Sequence, residues 1–190
     1  MENEPPTTDI LLGVINRFIG LFSRQIQHHT KNETTREYPF VAMDTRQVFQ
    51  ELLLVADYVE NTLKKEPSSL KFLDIGCGFG NVLLFAEQFG FNVYGLEKDE
   101  ASLKIAREFF EEYQLIKEDL RTYKGYKEFD IVYYFCPLTE GEREFERYLE
   151  DEITPGTILI ANYKRSKEIF EDRRFKRLSS SLPVWQKISQ

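Results

Sequence analysis

The sequence predicts an α/β fold: a doubly wound, mostly parallel sheet closed by an antiparallel C-terminal hairpin and preceded by N-terminal helices. Three observations carry this expectation. Short apolar runs alternate with helix-like segments over residues 70–161, the order that builds a parallel sheet covered on both faces. A glycine turn at 76–80 separates the first such run from the helix after it. Asp74, Glu97 and Asp119 stand at the carboxyl ends of successive runs, and those ends converge on the ligand crevice of such sheets.

Composition sets the outer bounds. The chain's 190 residues suit one domain of ordinary size, and 42% hydrophobic with 30% charged residues is globular composition. Lys and Arg total 25 against 32 Asp and Glu, a formal net charge of −7. So acidic a chain lacks the general basic field that grips nucleic acid, and no nucleic-acid partner is expected. Two cysteines in apolar contexts read as reduced thiols, which points to the cytoplasm. No apolar run approaches the roughly 20 residues of a bilayer span. No metal-ligand spacing occurs.

Residues 10–26 (ILLGVINRFIGLFSRQI) place apolar side chains at 11, 14, 15, 18, 19, 22 and 26. That spacing predicts an amphipathic helix packed on the body of the protein or on a partner. An interfacial membrane anchor is the alternative, although the polar face carries few cations. The acidic start (Glu2, Glu4, Asp9) differs from the basic head of a secretory signal. Residues 28–37 (HHTKNETTRE) are polar and aperiodic and read as a linker in which His28 and His29 are solvated. A helix is expected from Asp44 to about residue 65, with Asp44 and Gln47 spaced as a capping box and a buried face at 48, 52, 55, 59 and 63. These elements make residues 1–66 an N-terminal helical extension and 67–190 the α/β domain.

Within that domain, strands are expected at 70–75, 92–96, 114–117, 129–135 and 156–161. The intervening helices are expected at 81–89, from the Asp99 cap to about 112, and from a Thr139–Glu142 capping box to about 152. Residues 175–178 and 184–188, around Ser-Ser-Ser-Leu-Pro, supply the closing hairpin. The run 164–177, with seven cations and three anions, reads as a solvated helix face with local salt bridges, or as a dock for an acidic partner.

The informative motif is LDIGCGFGN, residues 73–81, leaving a strand and entering a helix. Gly76 and Gly78 permit a tight turn and a close ligand approach, and the helix behind them offers free amides to an anionic group. Asn81 stands where the dinucleotide loop needs glycine, so a pyrophosphate-binding turn is disfavoured. Glu97, 21 residues after Gly76, is placed to accept from ribose hydroxyls. Asp119 is placed to accept from an adenine amine while Leu120 packs on the ring, and Asp74 to meet the ammonium of an amino acid.

Residues 73–81, Glu97, Asp119 and the strand FDIVYYF resemble motifs I to IV of the class I, seven-strand S-adenosylmethionine-dependent methyltransferases. The resemblance covers about residues 68–190. It implies a seven-stranded sheet with a reversed last strand and S-adenosyl-L-methionine as cofactor. Asp74, Gly76 and Gly78 would hold its methionine part, Glu97 the ribose, and Asp119 with Leu120 the adenine. Cys77, Asn81, Lys98 and Phe135 complete the expected cofactor set.

Methyl transfer needs alignment and desolvation of a nucleophile more than covalent machinery. Aromatic walls suit a cationic centre, and Tyr38, Phe40, Tyr133, Tyr134 and Phe135 are the candidates, with ordinary core as the plainer reading for Tyr133. Phe135, Cys136, Pro137 and Tyr38 are the candidate catalytic residues, Cys136 as a small cleft-lining residue rather than a nucleophile. The Asn-Pro-Pro-Tyr signature of many amino-group methyltransferases is absent, since 135–138 read FCPL. The segments YPFV, YYFCPL and DEITPGTILIANY are instead similar to small protein lysine methyltransferases, implying a protein lysine as methyl acceptor. A small-molecule acceptor and a non-catalytic, cofactor-binding regulatory protein are the alternatives.

Overall fold

The computed structural model of the chain describes residues 6–30, 41–135, 138–164 and 166–189. Tyr38, Phe40, Cys136 and Pro137 lie outside the described residues.

Five parallel strands form the centre: β1 (Lys71–Ile75), β2 (Asn92–Leu96), β3 (Leu115–Ile116), β4 (Ile131–Phe135) and β5 (Ile158–Asn162). β7 (Val184–Lys187) pairs antiparallel to β5, and β6 (Phe175–Arg177) pairs antiparallel to β7 at the sheet edge, so β7 alone runs against the other strands. The order is β3-β2-β1-β4-β5-β7-β6, the seven-strand sheet that the sequence resemblance implied. Strand order reverses between β1 and β4, so connections leave in opposite directions and open a crevice at their carboxyl ends. Register sets Asp74 opposite both Gly95 and Tyr133, and Phe135 opposite Asn162. Paired residues project from the same sheet face, which puts all these side chains on one side.

Both faces are covered, as the nearly continuous apolar strands require. Phe72, Tyr133 and Ile160 meet α2 (Thr45–Asp57), α3 (Asn81–Gln88) and α4 (Glu100–Ala106) through Val55, Leu83 and Leu103. On the other face, Leu73, Tyr134 and Leu159 meet α5 (Glu142–Glu152) through Phe145 and Leu149. The fully buried Lys187 ammonium donates to the carbonyls of Glu150 (2.8 Å), Asp151 (3.2 Å) and Ile153 (2.7 Å). It thereby satisfies carbonyls that the end of α5 leaves free.

Several local expectations change. Asp44 caps α2 by accepting from the amides of Arg46 and Gln47, but the Gln47 side chain turns away from the cap toward Glu51 and Asn162. α2 widens after Asp57 into a π-helical turn, Tyr58–Leu63, that ends on Lys64 in the left-handed region. α4 stops at Ala106, short of 112. α5 begins at Glu142 with Gly141, φ 74°, at its N-cap position, two residues later than the expected start at Thr139. The run 164–177 is not a helix face; it forms a 3₁₀ turn, Glu168–Phe170, and β6, with Lys164 turned inward.

The N-terminal helix α1 (Pro6–His29) packs on the body, but in a different phase from the expected stripe. Leu12, Ile19, Ser23 and Ile26 are buried, whereas Leu11, Val14, Phe18 and Leu21 are exposed. Polar partners explain the rotation. Asn16 accepts from the Thr45 amide and hydroxyl, and Asp9 pairs with Arg46, both at the start of α2. His28 and His29 finish α1 rather than open a linker. Among the described residues, no helix is long and apolar enough to cross a membrane.

Candidate active site

β1 delivers the chain into the turn at 76–80, where Gly76 (φ 74°) and Gly78 (φ 56°) occupy the left-handed region that side chains disfavour. The amides of Gly76 and Cys77 donate to the Leu96 carbonyl at 2.8 and 3.2 Å, and the Gly78 amide donates to the Glu97 carboxylate at 3.0 Å. The turn is therefore strapped to the end of β2. Cys77 points its sulfur into the core, where Gly95 leaves room; a Cβ on Gly95 would lie 2.5 Å from that sulfur. Burial, with the Asp74 and Glu97 charges adding to it, pushes the Cys77 thiol well up, so it stays protonated and presents only backbone to a ligand. Asn81 is buried at the first turn of α3.

Three carboxylates surround this turn in different states. Glu97 accepts from the amides of Lys98 (2.7 Å) and Asp99 (2.8 Å) as well as Gly78; burial still pushes its carboxyl up. Asp74 is 3% exposed, and burial followed by the Glu97 charge raises it well above the ordinary carboxylate value, with no hydrogen bond to offset them. Asp119 is more open. Burial raises it, but the Arg121 amide (2.8 Å) and the Lys98 ammonium (3.3 Å) outweigh burial and hold it low. Leu120 follows, half-buried against the cluster around Tyr126.

The same sheet face continues across β4 and β5. Tyr133 is buried beside Asp74. Phe135 is half-buried and lies against Tyr163, ring centroids 5.4 Å apart. Tyr134 faces the opposite side and packs edge-on against Phe145, so it does not join the site. Sequence reasoning missed a buried trio beside these residues. Gln47 donates to Glu51 (2.9 Å) and Asn162 (2.8 Å), and Asn162 donates to Glu51 (3.0 Å). The available signal was a carboxylate set among the apolar positions Val48, Leu52 and Val55 of one helix face.

A cavity of about 620 Å³ opens behind this row, between the end of α1 and the start of α4, lined by His29, Lys98, Glu100, Lys104 and Lys117. Its lining includes Lys98 and Asp99, whose backbone amides donate to Glu97. Among the described residues, no group of three or more His, Cys, Asp or Glu is placed to hold a metal ion. The row can bind hydroxyls and an ammonium at its Glu97–Asp74 end and present aromatic faces at its Phe135–Tyr163 end.

Residues 72–151 match a family model described as a methyltransferase domain. The matched segment spans β1 to α5 and contains Asp74, the glycine turn, Glu97 and Asp119; Glu51, Asn162 and Tyr163 lie outside it. An RNA methyltransferase from Salinibacter ruber, solved with S-adenosyl-L-homocysteine, shares the fold of this chain. Its TM-score is 0.54 at 19% identity, over 79% of this chain and 95% of that one. The plantazolicin methyltransferase BpumL aligns at TM-score 0.47 and 22% identity, over 62% of this chain and 52% of its own. CalS10, an amino pentose methyltransferase from Micromonospora echinaspora, aligns at 0.46 and 25%, over 60% and 50%. This chain spans about half the length of the latter two. No curated protein matches it.

Proposed function

We propose that this methyltransferase domain binds S-adenosyl-L-methionine and methylates an amine, with a protein lysine side chain as the favoured acceptor. The observation that supports it most is the single row on one sheet face: Glu97 and Asp74 at the glycine turn, then Phe135 and Tyr163 at the mouth of the crevice. The residues fit the cofactor. Asp74 is a buried carboxyl with no hydrogen bond among the described residues, and Gly76 and Gly78 hold the left-handed backbone that side chains disfavour.

When bound, S-adenosylmethionine supplies an electrophilic methyl group on a cationic sulfonium. On this reading, Asp74 pairs with the methionine ammonium against the backbone of Gly76 and Gly78. Glu97 accepts from the ribose hydroxyls while keeping the Gly78 amide. Asp119 accepts from the adenine amine, and Leu120 packs on the ring. The protein's work is then to align the acceptor nitrogen and exclude water. The buried free thiol of Cys77 supports a reducing, cytoplasmic setting.

One observation favours a small-molecule amine as the second reading. α1 covers the glycine turn, with Ile19 and Ile26 buried on Phe79 and the Phe22 ring 5.9 Å from it. α1, which precedes Asp44, would then act as the lid of the domain at 67–190. Incubating the chain with labelled cofactor and a cell extract separates the two. We expect acid-precipitable label that yields methyl-lysine on hydrolysis and disappears in Gly78→Arg. Label confined to a low-mass, protease-insensitive fraction would leave the small-molecule reading, and no transfer at all would contradict catalysis.

A further inference from the structure

Tyr163 follows β5 directly, is 68% exposed and adopts φ 53°. Side chains disfavour that conformation, and it persists where the surroundings enforce it, often at functional sites. Here both neighbours are anchored. Asn162 is clamped by Gln47 and Glu51, and the buried Lys164 ammonium pairs with Glu146 (3.1 Å) and Glu150 (2.6 Å). Between these anchors the tyrosine ring is held out over Phe135. Phe135 is paired with Asn162 and shares its face, and Asn162 donates to the buried Glu51 carboxylate, whose charge also acts on the Tyr133 hydroxyl of that face.

We propose that Phe135 and Tyr163 form an open aromatic pair that grips the cationic head and aliphatic stem of an amine acceptor, with the Gln47–Glu51–Asn162 trio as positioning residues. This rests on the methyltransferase reading and adds the acceptor's charge class and two elements outside the matched family segment. Ring faces attract a cation, a lysine stem packs along them, and the buried carboxylate adds negative charge behind. Glycine would fit the backbone at 163 without strain, so the ring there has a use that offsets the strain.

Two probes differing in the ammonium test this: Nα-acetyl-lysine methylamide and Nα-acetyl-norleucine methylamide, titrated into the full chain saturated with S-adenosyl-L-homocysteine. The lysine probe is expected to bind about tenfold tighter than the norleucine probe. Tyr163→Gly removes that preference while the Tm holds or rises, because the strain is released; Tyr163→Phe keeps it. Glu51→Gln weakens the lysine probe several-fold and leaves the norleucine probe unchanged. Equal affinity for the two probes, or an unaltered preference in Tyr163→Gly, overturns the proposal. A lower Tm in Tyr163→Gly assigns the ring to packing and overturns it as well. Weakened binding of S-adenosylmethionine but not of its homocysteine product would assign the rings to the sulfonium, again overturning it. Failure of the unaltered chain to bind S-adenosyl-L-homocysteine would instead count against the methyltransferase reading itself.

Discussion

The Glu97 carboxylate accepts a hydrogen bond from the Gly78 amide at 3.0 Å, so the side chain read as the ribose acceptor also fixes the glycine turn. A carboxylate has about four acceptor sites, and three amides leave room for a hydroxyl. Glu97→Ala removes a charged acceptor worth about 1.5–3 kcal/mol and frees the turn. Cofactor affinity is expected to fall roughly tenfold or more, with Glu97→Gln in between. Calorimetric titration reads this directly. Unchanged affinity in the alanine variant would place the ribose elsewhere.

Asp74 makes binding and stability depend on pH in opposite ways. Its carboxyl in the folded state lies well above the ordinary value of 3.8, chiefly through burial. The folded state therefore holds the proton more tightly, and stability is full below that value and lost as pH rises through the raised one. Asp74→Asn is expected to raise the Tm of the ligand-free protein at neutral pH while weakening cofactor binding. An ammonium ligand would also drive proton release, visible as a buffer-dependent enthalpy. A neutral or destabilising effect on the free protein would show that Asp74 is satisfied in the fold.

The buried ion triad is a stability element. Removing Lys164 takes away the cation that Glu146 and Glu150 share, and breaking such buried pairs costs about 3–5 kcal/mol. Burial already raises the Glu150 carboxyl, and Lys164 is what pulls it back. In Lys164→Met it rises further, so the penalty is present at neutral pH and shrinks as pH falls toward the ordinary carboxylate range. Urea denaturation at pH 7.5 and 5 should show the difference. A penalty independent of pH would mean that lost packing dominates.

Lys187 offers a second check on the fold. Three carbonyls at the end of α5 lose their donor in Lys187→Met, an expected loss of about 2–3 kcal/mol. Equal stability in chemical denaturation would show that the helix end finds other donors.

The parts legible in the sequence were those that local rules determine. A strand, a glycine turn and a helix are written in consecutive residues, and the crevice follows from where successive strands end, which is why Asp74, Glu97 and Asp119 were placeable. Contacts between distant segments were not legible. Gln47 was read as half of a capping box, yet its amide meets Asn162, 115 residues away. Tyr163 carries no local mark of its left-handed backbone, which its anchored neighbours impose. α1 rotated from its expected phase because Asn16 and Asp9 found partners on α2 that a hydrophobic pattern does not count.

The central claim is that the row from Glu97 to Tyr163 is a methyl-transfer site rather than a dinucleotide site. Calorimetry of the full chain with S-adenosylmethionine, S-adenosyl-L-homocysteine and NAD tests it most directly. The expected result is binding of the first two, abolished by Gly78→Arg, and none of NAD. Binding of NAD, with neither of the others bound at millimolar concentration, would contradict it.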